Sequence, residues 1–128
     1  MQEDNKVLIE RWLEKSSAAM KAAEDSIINN NLESSLNRIY YTIFYAVMAL
    51  AQKENFKTSK HASLIGWFNK KFVFEDKSLE PKLFEVYKDA FEYRQDSDYD
   101  PMYKPDLEEV KELLTNAKAF VESVRKLI

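Results

Sequence analysis

One glycine and three prolines in 128 residues leave this chain few places to turn sharply. Folds made of many short strands need residues that tolerate positive φ at each tight turn, and such residues are almost absent. Long helices joined by a handful of connections are what remain. Hydrophobic residues make up 45% of the chain and aromatic residues 13%, enough apolar surface to offset the ordering entropy. The length predicts one domain, 1–128, folded as an all-α, antiparallel up-and-down bundle of about four to five helices.

Apolar spacing locates the helices. From Asp4 to about Ile28, residues Leu8, Trp12, Ala19, Ala22 or Ala23 and Ile27 recur at steps of three and four, the signature of an amphipathic helix. The run Asn29-Asn30-Asn31 should end it, because Asn competes for backbone hydrogen bonds and tolerates the left-handed conformation. A second helix, about Leu32 to Glu54, carries Leu36, Ile39, Tyr40, Ile43, Phe44, Val47, Leu50 and Ala51, a stripe wide enough to require contacts from several sides. Thr58 or Ser59 is expected to cap a third helix over about Lys60 to Val73, in which Gly66 marks close packing on a neighbour. Ser78 is the expected N-cap of a fourth, with Leu83, Phe84, Tyr87, Ala90, Phe91 and Arg94 at helical spacing and a frayed end near Asp98 to Pro101. Pro105 suits the first turn of a fifth helix, whose buried stripe is Leu107, Val110, Leu114, Ala117, Val121 and Val124.

Composition excludes several chemistries. The chain has no Cys and one His, which removes disulfides, thiolate zinc sites and two-His metal sites. A net charge of −3 lacks the basic field of a non-specific duplex binder. The acidic, polar start and the short Ile39 to Ala51 apolar run predict a soluble, cytoplasmic protein with no membrane association. Asp96, Asp98 and Asp100 alternate like the start of a calcium loop, but Pro101 stands where Gly is needed and Leu107 where a bidentate Glu should be. No metal and no cofactor are expected.

The remaining polar candidates each have two readings. Arg94 borders the apolar face of the fourth helix, either as the partner of Asp98 one turn on or as an anchor for a phosphate. His61 opens the third helix beside Lys57 and Lys60, as a surface hydrogen-bonding group or a proton-transfer group. Lys53, Lys57, Lys60, Lys70 and Lys71 around Trp67 form either a solvated face or a track for a phosphate backbone with a stacking ring. The Tyr40-Tyr41-Phe44-Tyr45 cluster reads as core and subunit interface.

The segments Asn37-Arg38-Ile39-Tyr40-Tyr41-Thr42-Ile43-Phe44-Tyr45-Ala46, Lys60-His61-Ala62-Ser63-Leu64-Ile65 with Phe68-Asn69-Lys70-Lys71-Phe72, and Tyr93-Arg94-Gln95-Asp96-Ser97-Asp98-Tyr99 resemble, in order and spacing, the small prokaryotic HEPN domains. The resemblance runs from about Lys15 to Val124. It implies a helical bundle, usually a homodimer, often paired with a minimal nucleotidyltransferase as toxin and antitoxin. Catalytic relatives cleave RNA without metal, using an Arg followed at short spacing by His; here Tyr99, Asp100 and Pro101 occupy the positions of that His. The resemblance therefore implies a nucleotide- or RNA-binding, or partner-binding, module using Arg94, Asp98, Tyr99, Lys60 and Tyr41. The alternatives are a metal-independent ribonuclease toxin using Arg94 with His61 or Tyr99, and a purely structural dimerisation domain.

Overall fold

The computed structural model describes residues 2–128, which form five α-helices and no strands: α1 (Gln2–Ile28), α2 (Leu32–Lys53), α3 (His61–Phe68), α4 (Pro81–Tyr99) and α5 (Leu107–Arg125). A π-helical segment, Asn69–Glu75, prolongs α3. Asn30 takes the left-handed conformation at φ 56°, and Asn31 Oδ1 accepts from the Ser34 N–H at 3.3 Å, so the Asn run both stops α1 and caps α2. The two helices approach closely through small residues. Ala19 and Ala23 are buried, and the fully buried Ser16 donates from Oγ to the Thr42 carbonyl at 2.7 Å. The buried face of α1 carries Ile9 where Leu8 is expected; Leu8 is 48% exposed.

α2 lies at the centre, against α1, α4 and α5. Its wide stripe is buried except at Phe44, which is half-buried, with Ile39, Tyr40, Ile43, Ala46 and Val47 fully enclosed. Phe68 of α3, Tyr87 of α4 and Phe120 of α5 meet beside it, with ring centroids 5.2–5.8 Å apart. Phe120 and Leu113 belong to the α5 stripe, whereas Leu107 is 37% exposed and does not.

Several local expectations are corrected. The N-cap of α3 is Lys60, without a side-chain cap, and Thr58 Oγ1 accepts only from the Lys60 N–H. The third helix is not α-helical to Val73: it widens so that the Asp76 N–H reaches the Lys71 carbonyl, and the Phe72 carbonyl then accepts from both Ser78 and Leu79. This winding keeps Phe68, Phe72 and Leu79 together in the core. Gly66 does not mark close packing, since a Cβ there would meet nothing within 4 Å. Ser78 does not cap α4; its Oγ turns back to the Phe72 carbonyl, and Glu80 precedes Pro81 at the helix start. Asp106 caps α5 through Oδ2 and the Glu109 N–H, which leaves Pro105 outside the first turn. Among the described residues no helix is long and apolar enough to cross a membrane.

Candidate functional site: an arginine and histidine cluster on a tyrosine platform

Residues three and four apart share a helix face, and that rule assembles the cluster. On α2 it places Tyr40 with Phe44, and Arg38 with Tyr41; on α4 it places Phe91 with Arg94. His61 comes in at the first residue of α3. Tyr40, fully buried, is the meeting point. Its ring lies 5.7 Å from Phe91 and 5.2 Å from Tyr41, and its hydroxyl is hydrogen-bonded to His61 Nδ1. The imidazole stacks on Phe44 at 4.6 Å and 10°.

Two guanidinium groups flank the platform. Arg94 Cζ sits 5.3 Å from the Tyr40 ring centroid and 5.4 Å from that of Tyr41, and Arg38 Cζ sits 5.1 Å from Tyr41. A cation over an aromatic face is attracted by the ring quadrupole, by about 0.5–1 kcal/mol at exposed sites and more where water is excluded. Arg94 Nε lies 3.2 Å from Asp98 Oδ2, but its N–H is not directed at that oxygen, so this buried donor has no aligned acceptor among the described residues. Arg38 forms no ion pair in the cluster: its Nε and Nη2 donate to the neutral amide oxygen of Asn37 at 3.0 and 2.8 Å. Two guanidinium charges thus face one carboxylate.

The titrating groups respond to this setting. Burial, reinforced by Arg94, holds the His61 pKa below 6.5, so the ring is neutral at physiological pH. Burial pushes the Tyr40 phenol well up, against the pull of Arg94, and the hydroxyl keeps its proton.

The fold brings Arg94, Asp98, His61 and Tyr41 to one place. Tyr99, 76% exposed, and Lys60, also exposed, stand next to Asp98 and His61 in the chain, but among the described residues their side chains make no hydrogen bond, ion pair or ring contact with the cluster. Tyr40, Phe44, Phe91 and Arg38 are the members that sequence reasoning leaves out. The signals that could have found them are helical spacings: Arg38 to Tyr41 and Tyr40 to Phe44 on α2, and Phe91 to Arg94 on α4. Of the lysine track, Lys71 is held by Glu54 at 3.6 Å and Lys53 donates to the Leu127 carbonyl, while Trp67 stacks one face on Phe56 at 4.6 Å and stands nearly perpendicular to Phe72. Asp98 and Asp100 are committed to Arg94 and to the Met102 N–H, and no group of three potential metal ligands occurs among the described residues. A groove of about 420 Å³ between the start of α4 and the end of α5, lined by Leu79, Leu83, Val86, Asn116 and Ser123, contains no member of the cluster.

A family model for the HEPN domain matches residues 9–127. The chain is 34% identical over its full length to a Thermotoga maritima protein named "UPF0332 protein", covering 96% of that relative. Two Methanocaldococcus jannaschii proteins, each named "Putative toxin", are 30% and 28% identical over 120 residues, with 81% and 88% of their lengths covered. The helical bundle, the ordered motifs on α2, α3 and α4, and the full-length match agree: the chain belongs to the HEPN domain family.

Proposed function

We propose that this protein is a nucleotide- or RNA-binding HEPN module of toxin-antitoxin type, which takes phosphate at the cluster of Arg94, Arg38, Tyr41 and His61. It would act as a homodimer beside a minimal nucleotidyltransferase. The observation that carries the reading is the charge balance: two guanidinium groups on one tyrosine ring, with a single carboxylate, obliquely placed, to answer them. Guanidinium donors pair with phosphate oxygens. The names of the two archaeal relatives support the toxin class.

The tautomer of His61 separates binding from cleavage. With the protonated Tyr40 phenol donating to Nδ1, the imidazole proton sits on Nε2. That imidazole offers a donor to a phosphate rather than a base to a 2′-hydroxyl. The second reading, a metal-independent ribonuclease, is favoured by the neutral ring lying within the field of Arg94: with Tyr40 accepting instead, Nε2 would be free to take a proton. Tyr99 is 76% exposed at the end of α4, one residue beyond Asp98.

The test is fluorescence anisotropy with labelled single-stranded RNA and with adenine nucleotides, in EDTA. A charge-assisted hydrogen bond is worth about 1.5–3 kcal/mol, so Arg94→Ala should weaken binding roughly 10- to 150-fold while circular dichroism shows the fold intact. Equal affinity in wild type and variant would refute the site. Loss of intact RNA during the same incubation, absent with His61→Ala, would shift the conclusion to the nuclease.

A further inference from the structure

Asp98 is a poor structural partner for Arg94. In a helical pair four residues apart the better order places the acid before the base, and here the base comes first. Asp98 also stands one residue before the end of α4, where the helix dipole disfavours a carboxylate, and the last turn holds no basic residue to offset it. Bonds between guanidinium and carboxylate are at their strongest when short, aligned and doubled. This contact is a single oxygen 3.2 Å from a buried Nε whose N–H is not aligned with it. Of the two side chains Asp98 is the more exposed, 35% against 19%. Asp96, two residues earlier, lies instead in a separate depression with Asp89, Glu92 and Tyr93, so Asp98 is the carboxylate that a ligand on Arg94 meets.

Without an aligned hydrogen bond, what Asp98 brings to the cluster is its charge. A Coulomb energy scales with the charge of the ligand, so at one and the same position a doubly charged phosphate is repelled by Asp98 twice as strongly as a singly charged one. Arg38 and Arg94 act in the opposite sense and draw the dianion more strongly. We propose that Asp98 is a specificity-determining residue of the anion site: its carboxylate cuts the advantage that a doubly charged terminal phosphate would otherwise hold over the singly charged phosphodiester link of a nucleic-acid strand. This rests on reading the cluster as an anion site.

The probes are AMP and 3′,5′-cyclic AMP, which share base and ribose. At pH 8 the first carries two negative charges, its second pKa being about 6, and the second carries one. Both are titrated calorimetrically into wild type, Asp98→Asn and Arg94→Ala, with circular dichroism as the check on folding. Loss of the Asp98 charge should tighten cyclic AMP by about threefold to tenfold and AMP by the square of that factor, roughly 10- to 100-fold. Asp98→Ser removes the same charge without adding an amide and should give the same two factors. An equal factor for the two nucleotides, unity included, overturns the proposal, because a charge cannot act equally on a monoanion and a dianion. Weaker binding of both also overturns it and makes Asp98 the residue that aims Arg94. If Arg94→Ala weakens both nucleotides in the same series, either of those results removes the role of Asp98 and leaves the anion site standing. If Arg94→Ala binds them as wild type does, or neither nucleotide binds any of the proteins, the anion site itself falls and the proposal with it.

Discussion

Tyr40→Phe removes one oxygen from the centre of the cluster and nothing else. The ring stays, and with it the contacts to Arg94 at 5.3 Å, Phe91 at 5.7 Å and Tyr41 at 5.2 Å. What is lost is the hydrogen bond to His61 Nδ1. A neutral hydrogen bond contributes about 0.5–1.5 kcal/mol net, and the half-buried His61 can recover part of it from water, which places the loss near the lower end, about 0.5–1 kcal/mol. For a chain of this size that is a fall in Tm of roughly 2–6 °C, read by circular dichroism at neutral pH. Tyr40→Ala, by contrast, empties a fully buried ring position and should cost about 3–5 kcal/mol. Without the Tyr40 donor the neutral imidazole loses its partner, so the His61 midpoint in Tyr40→Phe should move up from its depressed value. A variant that melts with wild type and titrates with wild type would refute the reasoning, because the bond would then hold neither the fold nor the histidine.

Gly66→Ala should stabilise the protein by about 1 kcal/mol, since Ala is the better helix former and its Cβ meets no neighbour within 4 Å; thermal melting would show a rise of a few degrees. Stability should also depend on pH through His61. Its folded pKa lies below the unfolded 6.5, chiefly from burial and then from Arg94, so between those two values the unfolded chain binds more protons and stability rises with pH. Urea titrations should therefore show full stability above pH 6.5, a decline as pH falls from 6.5 to the folded midpoint, and no such step in His61→Asn. Ser16→Ala breaks the buried 2.7 Å bond to the Thr42 carbonyl between α1 and α2 and should cost about 1 kcal/mol, measured as a lower denaturation midpoint with unchanged slope.

The helices were legible because their signals are local. Asn29 to Asn31 stops one helix and caps the next by its own side chains, and the broad stripe of α2 announces a central position before any partner is known. The errors lie where tertiary packing overrides local preference. Ser78 looks like a cap, yet the Phe72 carbonyl claims its hydroxyl. Seven residues are too few for apolar spacing to distinguish π from α winding between Asn69 and Glu75. Leu8 and Ile9 are equally apolar neighbours, and only the approach of α2 decides which is covered. Within the site, the Arg94 to Asp98 pair follows from spacing on one helix. The Tyr40 to His61 bond joins residues 21 positions apart on different helices, and no pattern within either segment encodes it.

The central place of α2 also sets an order of events during synthesis. Arg38, Tyr40, Tyr41, His61, Arg94 and Asp98 all precede α5 in the chain. A ribosome that has released residues up to the end of α4 has therefore released every charged member of the cluster, but not Phe120, which packs against Tyr87 and Phe68. At that stage the phenol of Tyr87 is open to water and the bundle lacks one wall. Closure of α5 is the step that lays Phe120 on Phe68 and Tyr87, so the aromatic core behind the cluster is completed only after every residue of the cluster has been made.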